Sequence, residues 1–319
     1  MAVNNFIDVQ SLTYCGKEAN EIFSKMIYSL DIANLGITML DAVKGKQKLY
    51  TGEIGDVWQV YSCPFTPSGE ASLKEDFIEP ARIKVNLENC YDAFDQTYFV
   101  EQTRIALDGG IPQTFADWFF NDQLMKKMAK EYQEIFWKGD TAYSGETKKF
   151  LKVTDGIEKK LAAEATVISG AAFTVDNILA QVKAAVAKAE EIAATNEVEI
   201  DDTWKLFLNK NDVRKLVTAL GENTNSPLTT QVWSNFTREG DKIYAYGFEV
   251  VPTEQTASTV IVGPARNMVL GYDTFDSTTQ YKLIDLRDTT GDNMFRILAL
   301  SNIAVGLVLG ELFVFSKPA

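Results

Sequence analysis

The strongest pattern of apolar and polar positions lies between Gln113 and Asp140. Phe115, Trp118, Phe119, Met125, Met128, Tyr132, Ile135 and Phe136 recur at three- and four-residue steps, the period of an α-helix. Thr114 and Asp117, following Pro112, form a capping-box pattern. Gly139 falls where a left-handed C-terminal cap is expected. The spacing predicts a helix over 113–138, about 37 Å long from Thr114 to Lys138 at roughly 1.5 Å per residue. Its other face carries Asn121, Lys126, Lys127, Lys130, Glu131 and Glu134, so that face is wet or meets a polar partner. A helix of this length needs a sheet or another subunit along it to bury its stripe.

Upstream, Glu18, Ile22, Met26 and Leu30 stand at helical steps, with Phe23 and Ile27 alongside. Residues 1–45 read as an arm that lies on something else, being too short for a core of their own. Leu49 to Tyr61 is strand-like. Ala81, Ile83, Val85 and Leu87 then alternate with Arg82, Lys84, Asn86 and Glu88, a strand with one apolar and one charged face. Together they predict a long hairpin over 46–92. Its tip, Cys63 to Gly69, carries Pro64 and Pro67, which is turn chemistry. An isolated hairpin is marginal in water, so it joins a larger sheet of its own chain or reaches to a neighbouring molecule.

Downstream the pattern predicts a helix over 174–194 and a buried strand Trp204–Leu208. Asn209 then caps a short helix stopped by Gly221, and a polar loop spans 222–242. Short strands follow at 244–252, 259–262 and 268–270. Residues 281–286 alternate, and 288–293 read as a turn. The apolar run 295–315 reads as buried strands, because 14 residues between Arg296 and Glu311 fall short of the roughly 20 a membrane helix needs. No internal repeat is visible.

Composition narrows the chemistry. A chain of 319 residues with 46% hydrophobic and 24% charged residues is globular and long enough for one elaborated domain or two to three subdomains. The net charge of −13 argues against a dedicated nucleic-acid grip and for solubility. Cys15, Cys63 and Cys90 are too few and too scattered for a disulfide framework or a metal knuckle. With no basic region or apolar run at Met1-Ala-Val-Asn-Asn, no secretory signal is expected and a reducing cytoplasm is. The absence of histidine removes the Ser-His and Cys-His systems and the commonest zinc sites. The doublets Glu190-Glu191 and Asp201-Asp202 point apart, as neighbours in sequence do. Asp140, Asp155 and Asp176 match no calcium-loop pattern, and Gly109-Gly110 lacks a phosphate-binding fingerprint. No catalytic, cofactor-binding or metal-binding residue is assigned, and neither an enzyme nor a cofactor is expected.

The order of parts resembles the major capsid proteins of tailed bacteriophages, the Hong Kong 97 fold. It runs from an arm through a long hairpin to a long helix ending in Gly139-Asp140, then Gly156-Ile157. A mixed α/β insertion follows, with Leu206-Phe-Leu-Asn209 and Tyr246-Gly-Phe-Glu-Val-Val-Pro252, and Arg296 and Glu311-Leu-Phe-Val314 close the series. The resemblance implies an α+β fold with an N-terminal arm (1–45), an extended loop (46–92) and a peripheral domain (93–170) with a spine helix over 113–138. An axial domain (171–290) and return strands (291–319) complete it. It implies self-assembly into pentamers and hexamers of an icosahedral shell, each loop lying over a neighbour. The implied partners are a separate scaffolding protein, a portal, decoration proteins and packaged DNA held without sequence specificity, with no membrane. The chain would be assembled in the bacterial cytoplasm and reside in the virion. Some members weld a loop lysine to a neighbour's asparagine, and Lys74 is the lysine near this tip. Two other readings stand beside it, an encapsulin-type compartment shell and a tail or surface adhesin. The polar hairpin tip and generous insertion favour the phage over the compartment; the long amphipathic helix disfavours the adhesin.

Overall fold

In the computed structural model the aromatic stripe folds as a continuous helix over 115–138. Phe115–Trp118 and Met125–Lys138 are α-helical, and Phe119–Leu124 between them is a π-turn. The π-turn explains a shift in the stripe: Phe119 and Leu124, five residues apart, are both buried, whereas Met125 is only half-buried. Widening one turn to an i→i+5 step is what brings such a pair to one side. Gln113 and Thr114 lie outside the described residues. These are residues 12–15, 26, 30–54, 58, 60, 63, 71–108, 115–222, 236–239, 242–273, 280–287 and 290–318, so the arm helix expected around 18–30 falls largely beyond them.

In chain order the strands are β1 (Leu12–Cys15), β2 (Thr38–Leu40), β3 (Gln47–Ile54), β4 (Ala71–Ile78), β5 (Ala81–Cys90), β6 (Thr166–Gly170) and β7 (Trp204–Asn209). They continue as β8 (Phe236–Glu239), β9 (Lys242–Ala245), β10 (Phe248–Thr253), β11 (Val260–Pro264), β12 (Met268–Tyr272), β13 (Gln280–Asp285), β14 (Met294–Leu307) and β15 (Val314–Pro318). The chain divides into two units, each gathered from three separate stretches.

The first unit holds residues 1–34, 81–133 and 272–303. Its sheet has β14 between β5 and β13, both antiparallel to it, with β1 outside β13. One sheet face buries Leu283, Phe295, Ile297 and Ala299. Phe295 meets Tyr91, Phe94, Phe115 and Phe119 with ring centroids 4.9 to 5.9 Å apart, the edge and tilted geometries aromatic pairs prefer. Two polar handles fix the long helix there. Trp118 Nε1 donates to Glu101 at 2.8 Å, and the Tyr132 hydroxyl donates to the carbonyl of Asn302 at 3.2 Å. Arg287 pairs with buried Asp285 at 2.6 Å and lies 4.5 Å over the Tyr91 ring. Burial pulls the Asp285 carboxyl upward, but the hydrogen bonds and charge of Arg287 outweigh it and hold it below the usual range. Burial likewise pushes the Tyr91 hydroxyl well above its ordinary value.

The second unit holds residues 35–80, 134–271 and 304–319. A seven-stranded mixed sheet runs β6-β15-β11-β7-β10-β9-β8. Val182, Val186, Ala189, Leu216 and Leu220, from the helices Ile178–Thr195 and Lys210–Glu222, share one core cluster with Leu206, Leu208, Val250, Val260 and Val314. Phe207, between Leu206 and Leu208, meets the Trp137 ring at 5.6 Å. Strand β7 is therefore covered on both faces, which is why it reads as an unbroken apolar run. The helix Ile178–Thr195 is entered by a reciprocal pair: Thr174 N–H donates to Asn177 Oδ1 at 2.9 Å and Asn177 N–H to Thr174 Oγ1 at 3.3 Å. Asn209 accepts from the Asn211 N–H at 2.9 Å, the expected cap.

Five expectations are corrected. Ala81–Leu87 is not the returning arm of the hairpin; β5 pairs with β14, and β3 returns through β4. Gly139 is not a left-handed cap, since it is not among the residues with positive φ. It is instead a point of close approach: a Cβ there would stand 2.3 Å from the Thr154 carbonyl, and one on Gly156 would stand 2.6 Å from the Gly139 nitrogen. Glu134 is buried rather than wet and takes Lys148 at 2.7 Å. The short helix runs through Gly221 to Glu222, and β8 lies within the stretch expected to be a loop.

Candidate assembly surfaces

The hairpin of β3 and β4 forms a two-stranded sheet of its own. Its register places Gln47 opposite Ile78, Leu49 opposite Asp76, and Thr51 opposite Lys74 on one face. That face is held by its own unit. Ile78, fully buried, joins Val43, Val269 and Ala304 in a small core, with Leu49 packed against it, and Lys74 pairs with Glu311 at 2.9 Å. The hydrogen bond it donates to Glu311 is the main cause of a raised Lys74 ammonium pKa, so this amine is held protonated rather than readied as a nucleophile.

Among the described residues the opposite face has no such cover. It carries Lys48, Tyr50 and Gly52 opposite Phe77, Glu75 and Leu73. Leu73 is 72% exposed, Tyr50 59% and Phe77 44%. Toward the tip, Trp58 and Val60 are almost fully exposed. Lys46 lies 4.4 Å over the Phe77 ring, and Lys48 pairs with Glu75 at 2.6 Å. Three large apolar groups on one face of a two-stranded ribbon, grouped around Glu75, are costly to leave in water, and exposure of this kind marks an interaction site.

Comparison with known proteins bears on this shape. No family model and no curated protein matches the chain. Solved structures do. A chain of the satellite phage P4 procapsid, solved with the size determination protein Sid, superposes with a TM-score of 0.58 at 9% identity, covering 99% of this chain and 93% of its own. A capsid chain of the Myoviridae phage XM1 gives 0.56 at 11% identity, covering 100% and 97%. A chain of Gordonia phage Cozz gives 0.53 at 12%, covering 90% and 86%. The fold is that of tailed-phage capsid proteins.

Within this capsid fold the polar candidates read from sequence are engaged structurally. Asp140 and Asp155 do come together, but around Lys159, whose ammonium lies 2.6 Å from one and 2.8 Å from the other. The lysine occupies the place a cation would take, and its hydrogen bond is the main cause of a lowered Asp140 pKa. Asp176 is in neither pair. Glu191 takes Lys188 at 2.7 Å. Asp201 accepts from the Thr203 hydroxyl ahead of β7, the contact that chiefly lowers its pKa. Gly109-Gly110 lies outside the described residues. Among those residues no cluster of three or more carboxylates or thiols is arranged to hold a metal, and no helix is long and apolar enough to cross a membrane. Cys63 and Cys90 are free thiols.

The capsid fold also contains a helix, Asp92–Leu107, that the sequence reading missed. It has no single stripe: Phe94 reaches the aromatic cluster of the first unit, whereas Val100 and Leu107 are largely exposed. The signal available was the run of residues without Gly or Pro from Tyr91 to Leu107, not a period.

Proposed function

We propose that the chain is a major capsid protein that self-assembles into the icosahedral shell around the DNA genome of a tailed bacteriophage. The observation that carries the reading is the β3–β4 ribbon, with one face fixed to its own unit and the other presenting Tyr50, Leu73 and Phe77 to solvent. A repeated subunit that offers an apolar strip is completed by a second subunit, and closed symmetry repeats that contact throughout the particle. The structural neighbours, capsid chains matched over nearly their full length, support the same reading.

In this reading the chain is structural rather than enzymatic. Residues 47–78 serve as the extended loop, 115–138 as the spine helix, and much of 171–290 surrounds the capsomer centre. Residues 1–45 tie capsomers together. Scaffolding is supplied by a separate protein, and portal and decoration proteins and non-specifically held DNA complete the particle in the host cytoplasm. The test is direct. Purified protein at neutral pH, alone and with its scaffold, is imaged in negative stain. Closed shells are expected; a protein that stays monomeric in every condition refutes the assignment.

A further inference from the structure

The helix Asp92–Leu107 is apolar on two sides. Phe94 and Tyr98 turn toward the aromatic cluster, and Gln102 is buried. With Val100 as origin, the positions three, four and seven residues away on either side form one outward stripe, and all of them are exposed. Leu107 is 82% exposed and Val100 71%. The stripe carries a single charge, Arg104. The carboxylates of the helix, Asp92, Asp95 and Glu101, and Asp108 just beyond it, all fall outside the series. Glu101 takes the Trp118 indole at 2.8 Å and Asp92 the Asn293 amide at 2.7 Å, each within its own unit. Other outward helix faces of this chain are dense in charge, with Lys126, Lys127 and Lys130 exposed on the long helix and Lys183, Glu190 and Glu191 on Ile178–Thr195. In a chain of net charge −13, an outward face with no carboxylate, one arginine and two bare aliphatic side chains has the composition of an interface core, where charges other than arginine are depleted.

The stripe is also complementary to itself. Turned end for end about Val100, it sets Leu107 over Ala93, Arg104 over Gln96 and Thr103 over Thr97, because the members of each pair lie equally far on either side of residue 100. Large meets small, a guanidinium meets an amide oxygen, hydroxyl meets hydroxyl, and Val100 meets itself. Among the described residues, Gln96, Thr97, Val100, Glu101 and Arg104 line a shallow groove on this side, which suits a side chain from a facing helix. We propose that this helix packs antiparallel on the same helix of a second copy of the chain, across a two-fold axis at Val100. The inference rests on the assembly reading, since a closed shell joins subunits partly across such axes, and it names the element that does so. A two-fold contact is isologous, so its patch must match its own reverse, as the pairs around Val100 do. One pair of 16-residue helices falls short of the roughly 1,200 Å² at which stable interfaces begin. The contact is therefore weak alone and cumulative in a particle.

The experiment places opposite charges at position 100 of the full chain. Val100→Asp and Val100→Lys are exposed changes expected to leave the melting of the subunit unchanged. Each made alone sets two like charges face to face at the axis and is expected to weaken the contact about 100-fold or more, so that neither variant forms shells. Co-expressed, the two chains bring the carboxylate of one against the ammonium of the other, and shells containing both are expected to return. Only a position that meets itself gives this pattern. Shells from either variant alone mean that the face stays wet, and the proposal falls. Shells from neither variant nor their mixture mean that position 100 meets something else, such as the N-terminal arm or a separate protein, and the proposal falls as well. Failure of the wild type itself to form shells refutes the capsid reading instead. The pairing is then decided by Val100→Cys at high concentration under mild oxidation: a covalent dimer that the wild type does not give sustains it, and no such dimer overturns it.

Discussion

Replacing Tyr50, Leu73 and Phe77 together by serine separates assembly from folding. Full burial of a large apolar side chain is worth about 1.5–3 kcal/mol. With 72% of Leu73, 59% of Tyr50 and 44% of Phe77 still in water, covering the strip adds roughly 3–4 kcal/mol per contact on that scale. At about 1.4 kcal/mol per tenfold, this is a factor of roughly 10² to 10³ in association. The isolated subunit already lacks this burial but keeps the part of each side chain that is covered, which on the same scale is worth roughly 2–4 kcal/mol as an upper bound, so its stability falls while it stays folded. Sedimentation velocity and electron microscopy read the first quantity, and urea unfolding of the monomer reads the second. Expected are a monomer that still folds cooperatively, with a lowered midpoint, and no shells. Normal shells mean that the strip stays wet in the particle. A monomer unfolded by the three changes means that the strip belongs to the subunit's own core, and the reasoning is wrong either way.

Four further outcomes are expected. Met128→Pro, at a buried position of the long helix, removes a backbone donor and costs about 3 kcal/mol or more, abolishing soluble protein, while Lys127→Ala on the exposed face is nearly silent; equal yields and melts for the two contradict the helix. Gly156→Ala forces apart backbone at 2.6 to 2.9 Å from its new Cβ and strains the 2.8 Å bond from Gly156 N–H to the Gly139 carbonyl, costing roughly 2–4 kcal/mol as a lowered denaturation midpoint. Asp285→Asn removes a carboxylate whose folded pKa is depressed, so the stability gap to wild type is full at neutral pH, persists above the unfolded value of about 3.9 and closes as pH falls through the folded value; a gap independent of pH in calorimetric scans contradicts the ion pair. With Lys74 held by Glu311, particles boiled in reducing detergent should run as single 35.5 kDa chains, and a ladder of multimers makes Lys74→Ala the next variant to examine.

Much of this architecture could be read from spacing because local pattern decided it. The long helix, the helix at 178–195 with its Thr174 and Asn177 entry, and β7 running into the Asn209 cap are set by neighbours within a few residues. What failed was set elsewhere. The alternation of Ala81 to Leu87 identifies a strand but not its partner, which is β14, roughly 210 residues onward. Gly139 carries the same letter as a left-handed cap, yet its requirement comes from the backbone at Thr154 and Gly156. Glu134 sits in a polar column of the helix and is buried because Lys148 arrives to pair with it. The helix at Asp92–Leu107 escaped because its apolar side chains face two environments. Of the proposed surfaces, only the outgoing strand of the hairpin was legible; its return is β4 rather than Ala81–Leu87. Its two faces were not, since the register of β3 with β4 decides which side holds Ile78 and which holds Leu73.

Strand β15 lies between β6 and β11, although β6 is about 150 residues earlier in the chain. On the ribosome β6, β7 and β11 emerge long before residues 314–318, and until then the edge of β11 facing β15 is unpaired. Pairings so distant in sequence are slow to form, and an open strand edge invites aggregation meanwhile. The same delay acts as an inspection step. A polypeptide released early lacks β15 and cannot complete the sheet of the unit that holds the hairpin, so prematurely terminated products should be cleared by proteolysis rather than incorporated where one defective copy would disturb its neighbours.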